Sequence, residues 1–105
     1  MPRGAPRLRK NGVYQNAIGA RVRNRRRELK LTQDAFCARL TNHSGGGWSP
    51  TEADIYRIER QTRIVSDLEL VVIAAALECE ILWLLEAELG VRPATICSRW
   101  YSGSE

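Results

Sequence analysis

Apolar residues in this chain recur at helical spacing in short stretches, and each stretch is bounded by residues that start or stop helices. Ile18, Val22 and Leu29 lie four and seven apart. Ala35, Phe36 and Leu40 follow Thr32, whose hydroxyl can accept from the free amides of a helix start. Ile55 and Ile58 mark a third stripe, and Leu70, Ile73, Ala74 and Leu77 a fourth, behind a capping box of Ser66 with Glu69. No sustained apolar–polar alternation of the strand kind is present. The pattern predicts an all-α chain with five helices near 16–29, 32–40, 50–61, 66–77 and 80–88.

The joints between the helices are uneven. Residues 41–48 hold Asn42, His43, Ser44 and three consecutive glycines, Gly45 to Gly47, and read as a loop. The third helix is expected to open with a capping box of Ser49 with Glu52, which puts Pro50 at the first helical position; Thr51 with Asp54, two residues later, is a rival. A short break near Glu78 and Cys79 precedes the last helix. The 105 residues leave room for one compact domain. Residues 1–15, with two prolines, two glycines and four basic side chains, read as a flexible basic arm, and 89–105 as a short C-terminal tail, frayed or used in pairing.

The net charge of +4 conceals a gradient. Residues 1–30 carry ten Lys/Arg against Glu28 alone, whereas residues 65–105 carry two Arg against seven acids. Such asymmetry suits a polyanion on one face, although solvated helix charges produce it too. No run reaches the length of a membrane span and the basic start lacks the apolar stretch of a secretory signal, so a cytoplasmic protein with no membrane partner is expected. Cys37, Cys79 and Cys97 are scattered, with no CxxC pair, and are expected to be reduced thiols. The single histidine, His43, sits in the glycine loop without ligand-spaced neighbours, and there is no GxSxG; no enzyme, metal or cofactor is expected.

From Ile18 to Leu85 the chain resembles the phage-repressor, Cro-like helix-turn-helix family of xenobiotic-response-element type regulators. The matching stretches are IGARVRNRRRELKLTQDAFCARL, IYRIE and VSDLELVVIAAALECEILWLL, covering roughly two thirds of the length. The resemblance implies a five-helix repressor-like DNA-binding domain, sequence-specific on double-stranded DNA and acting as a transcriptional regulator with repression the expected mode. The segment at about 50–61 would be its recognition helix.

The residues themselves agree with that placement. With Ile55 and Ile58 inward, Ala53, Tyr56, Arg57 and Arg60 fall on the outward side of the third helix. The family pattern implies base-facing positions for Glu52, Ala53 and Arg57, a phosphate-anchoring position for Gln33, and an orienting ion pair between Arg26 and Glu59. Thr32, Ser49, Thr51 and Arg63 complete the candidate DNA-binding set.

Two departures stand out. About eight extra residues around Gly45 to Gly47 separate helices two and three, as in a longer-loop branch of the family, and Leu82 stands where relatives favour a polar residue. Leu82, Leu85, Ile96 and Trp100 are candidate homodimer contacts, unless the tail covers them. The competing reading is an antitoxin or adaptor whose main partner is another protein, such as a toxin.

Overall fold

The computed structural model describes residues 8–89, which fold into five helices: α1 (Gly19–Glu28), α2 (Gln33–His43), α3 (Glu52–Glu59), α4 (Asp67–Ala76) and α5 (Ile81–Leu89). Among the described residues there is no strand, only an isolated bridge between Lys10 and Tyr14. Among the described residues no helix is long and apolar enough to cross a membrane.

Helices of eight to eleven residues are unstable alone in water, so packing must hold them. Val22, Phe36, Leu40, Ile55, Ile58, Ile73, Leu77 and Leu84 are fully buried in one core fed by every helix. Each contributes about 1.5–3 kcal/mol by leaving water. α2 packs on α3 and α4, α1 on α3 and α5, and α4 on α5.

Polar residues set the helix ends, and several differ from expectation. α1 begins at Gly19 rather than 16, because the Asn16 side-chain oxygen accepts from the Ile18 and Gly19 amides at 3.1 and 3.0 Å and holds residue 16 outside the helix. The same amide group donates to the Ile58 and Arg63 carbonyls, tying the start of α1 to the end of α3. Gly19 is there because nothing larger fits: a Cβ would stand 2.6 Å from the Ile58 oxygen and 2.7 Å from the Glu59 oxygen.

α3 opens with the later box. The Thr51 hydroxyl accepts from the Asp54 amide and Asp54 accepts from the Thr51 amide, so the Ser49 and Glu52 box does not form. Pro50 precedes the cap instead of starting the helix, and it is buried, as is Ile55 five residues on. These are the two positions of a hydrophobic staple, which favours the Thr51 register over the Ser49 one. α3 ends at Glu59, short of the expected 61.

α2 runs three residues past the expected 40, because no helix breaker comes before the glycines; within it the Thr41 hydroxyl donates back to the Cys37 carbonyl. Gly45 and Gly46, with φ of +63° and +85°, let the Gly46 amide reach the Thr41 carbonyl and the Gly45 amide the Asn42 carbonyl. The loop proper is thus shorter than 41–48. Part of the expected arm is also tied down: Asn11 and Gly12 make a tight turn, and the Gln15 amide donates to Gln61 O at 2.9 Å. The rest of the arm, including Arg3 and Arg7, and the tail beyond Leu89 lie outside the described residues.

Candidate nucleic-acid interface

The five arginines of α1 look alike in sequence and have different fates in the fold. Arg21 donates to the Trp83 carbonyl at 2.9 Å and lies 4.4 Å from the Trp83 ring centroid, on the α5 side. Arg25 donates from Nε to the Leu77 carbonyl at 2.8 Å and pairs with Glu28, closing the end of α4. Arg26 turns towards α3 and grips Glu59 with both edges of its fork, at 2.6 and 3.1 Å, while donating to the Leu31 carbonyl. The two side chains are only 11% and 5% exposed. Hydrogen bonding to Glu59 raises the Arg26 pKa further despite the opposing cost of burial.

Arg23 and Arg27 remain. Neither has an ion-pair partner among the described residues, and both line a cleft of about 390 Å³ with Gln33, Tyr56 and Arg60, the Arg26–Glu59 pair contributing to its wall. Arg60 has no carboxylate partner there either; its guanidinium lies 5.2 Å from the centre of the Tyr56 ring. Gln33 is the first residue of α2, next to the Thr32 cap, whose hydroxyl accepts from the Ala35 amide. The amides of Gln33 and Asp34 precede the first intrahelical bond, so this helix end adds partial positive charge to the cleft.

The outward face of α3 adjoins the cleft. Glu52, Ala53, Tyr56, Arg57 and Arg60 lie on it, all five exposed, opposite the buried Ile55 and Ile58. Arg57 is not loose: its Nη2 donates to Asp54 Oδ1 at 2.9 Å. Ser49 is exposed and uncapped beside the helix start, and Thr51 is committed to its box.

Arg63 is drawn away from the others. Its fork closes on both oxygens of Glu69, at 3.0 and 3.1 Å, and it lies 5.8 Å from the Trp48 ring centre. This ion pair, with the hydrogen bonds from Arg63, holds the Glu69 carboxyl below the ordinary carboxylate range and raises the Arg63 pKa. Leu82 on α5 is 51% exposed, whereas Leu85 is half-buried against the core; Ile96 and Trp100 lie outside the described residues.

Sequence reasoning passed over Arg23 and Arg27 as site residues, although their spacing of four puts them on one helix face. It also missed Asn16 and Gly19, which place α1 against α3. Asn11-Gly12 was a readable turn signal.

In chemical terms the arrangement offers cations, hydrogen-bond donors and an exposed helix face. Burial pushes the Cys37 and Cys79 thiols up, so neither is a thiolate at neutral pH. Among the described residues no group of His, Cys, Asp or Glu is placed to hold a metal ion. No family model matches this chain, and no curated protein or solved structure matches it.

Proposed function

We propose that this chain binds duplex DNA with sequence preference, as a transcriptional regulator on the Cro-like helix-turn-helix plan. The supporting observation is the sorting of the arginines. Those of α1 and the end of α3 that no carboxylate or carbonyl among the described residues engages, Arg23, Arg27 and Arg60, gather with Gln33 around one cleft beside the exposed face of α3.

A concave surface with unneutralised cations focuses positive potential, and duplex DNA presents one negative charge per roughly 1.7 Å of axis. In this reading α3 enters the major groove, with Arg57 on guanine and Glu52 on cytosine, and Ala53 and Tyr56 beside them. Gln33, Arg23, Arg27 and Arg60 hold phosphates and set the register. Arg63 is left out of direct contact, because its fork is spent on Glu69. Repression by occupancy of the site, in the cytoplasm, is the mode that goes with this reading.

The test is a random-site selection on duplex DNA with the purified chain, followed by a salt titration on the enriched site. Arg23→Ala and Arg27→Ala should each flatten the log–log salt slope by about 0.9, one phosphate apiece. Failure to enrich any sequence, together with salt-independent binding, overturns the proposal.

Paired half-sites about 34 Å apart would call for two copies, with Leu82 at the interface. Light scattering with and without a palindromic duplex decides it, a monomer in both cases counting against pairing.

A second reading, a protein partner such as a toxin, is favoured by one specific observation. Leu68 and Val71, three residues apart on α4, are 76% and 53% exposed on a helix that does not line the cleft. Leu68→Glu should then abolish partner capture and spare DNA binding.

A further inference from the structure

The capping boxes of α3 and α4 are joined by a chain of alternating charge. Glu69, the third residue of α4, accepts from the Ser66 amide and grips Arg63 with both oxygens. Arg63 Nε stands 3.8 Å from Asp54 Oδ1. Asp54 divides its two oxygens: Oδ2 accepts from the amide and the hydroxyl of Thr51, and Oδ1 accepts from Arg57. The run Glu69–Arg63–Asp54–Arg57 therefore begins at a fixed helix start and ends on the exposed face of α3.

We infer that Asp54, steadied by Arg63 and Glu69, is a positioning residue that presets the Arg57 guanidinium and so sets how sharply α3 distinguishes bases. The inference deepens the DNA-binding reading and rests on it. An unrestrained arginine at a half-exposed position samples many rotamers, and a fork that must be ordered at the moment of contact discriminates poorly. Here one Nη2 donor is anchored to an oxygen whose own carboxylate is immobilised by the cap. The remaining donors of the fork have no partner among the described residues and stay available for a bidentate contact. Asp54 is held well ionised, first by its bond from the Thr51 amide, so the anchor keeps its charge at neutral pH.

Asp54→Asn isolates this role. The amide oxygen can still accept from the Thr51 backbone, while the amide nitrogen that replaces Oδ1 cannot accept from Arg57. The readout is the ratio of Kd values for single-base variants to that for the preferred duplex, measured with the full chain at one salt concentration.

D54N should lower that ratio by about threefold to tenfold at the position where R57A lowers it, part of what a bidentate pair discriminates. The D54N/R57A double variant should lose no more than R57A alone. R63Q, which leaves the cap of α3 intact, should move the ratio the same way and serves if D54N does not fold. The salt slope should stay unchanged in D54N, because every phosphate keeps its partner.

A merely structural role would lower the melting temperature and leave the ratio untouched; D54N and R63Q folding with full discrimination, while R57A loses it, overturns the inference alone. If R57A itself leaves discrimination intact, base reading by Arg57 falls and the inference falls with it.

Discussion

Arg57 and Gln33 belong to one surface and are expected to fail differently when removed. Arg57→Ala should cost about 1–3 kcal/mol on the preferred duplex and relax the preference at one or two base positions. Gln33→Ala should weaken binding to every sequence alike, by about 1.5–3 kcal/mol if it donates to a charged phosphate oxygen. Competition titrations against a panel of single-base variants separate the two; an unchanged preference in Arg57→Ala rules it out as a reading residue. Glu59 behaves differently, since its carboxylate is almost fully enclosed and both oxygens serve Arg26. Glu59→Ala leaves the Arg26 guanidinium without its counterion in the interior and should cost about 3–5 kcal/mol of stability. The urea unfolding midpoint measures this, and a destabilisation below about 1 kcal/mol, the scale of an exposed pair, would mean that water reaches Arg26 freely.

The helices share a way of ending that a glycine count would not reveal. α1, α3 and α4 close through Lys30, Gln61 and Glu78, with φ of 58°, 64° and 54°, and in each the next amide reaches back to the carbonyl five residues before it. Among the helix ends within the described residues, α2 alone uses glycine for this turn. Lys30 is exposed and its side chain has no partner among the described residues, so Lys30→Gly should relieve the left-handed strain and raise stability by about 0.5–1 kcal/mol, after allowing for the looser unfolded chain. A thermal melt checks the sign, and a destabilised variant would show that the left-handed residue carries little strain. At Gly19 the demand is for space rather than for φ. Gly19→Ala must push α1 off the end of α3 and should lose about 1–3 kcal/mol, the usual penalty of overpacking. Because α1 carries Arg23 and Arg27 and Arg60 follows directly on α3, the same shift should distort the cleft and weaken duplex binding beyond the loss of folded protein.

The molecule as a whole should respond to acid through its two capping carboxylates. Asp54 and Glu69 both lie below their ordinary values, Asp54 chiefly through the Thr51 amide and Glu69 chiefly through Arg63. A carboxyl with a depressed folded-state pKa binds protons more readily when the chain is unfolded. Its contribution is therefore complete above the unfolded values, near pH 4, and is lost as pH falls through the lower folded values. Unfolding midpoints should hold level from about pH 7 to 5 and fall below about pH 4.5. Glu69→Gln should be less stable than the parent at neutral pH and should converge on it in strong acid; parallel curves would remove Glu69 from the explanation. The charge gradient acts at the same level. If residues 1–9 follow the phosphate backbone, their deletion should flatten the salt slope by about 0.9 for each phosphate they hold. The fold should survive, because Gln15 still ties to Gln61 and Thr62.

Helical periodicity and capping chemistry are local properties, and they sufficed for five helices, for the inward sides of α3 and α4, and for the Ser66–Glu69 box. They favoured the wrong register at the start of α3, Ser49 over its rival Thr51, because both hydroxyls are able caps. The buried Pro50 and Ile55 accompany the Thr51 register, and their burial is a tertiary matter. The helix ends near 29 and 77 were legible, whereas the left-handed turns at Lys30, Gln61 and Glu78 that make such ends were not, since no glycine announces them. The arginine run of α1 shows the division most clearly. Its letters establish a strongly basic helix and nothing about which cation remains free. Which arginines meet a carbonyl or a carboxylate depends on α3, α4 and α5, elements that approach from far along the chain, as Trp83 does to Arg21. Only once those partners have claimed Arg21, Arg25 and Arg26 do Arg23 and Arg27 stand out, because a charge is available to a ligand only when the fold has not already paired it.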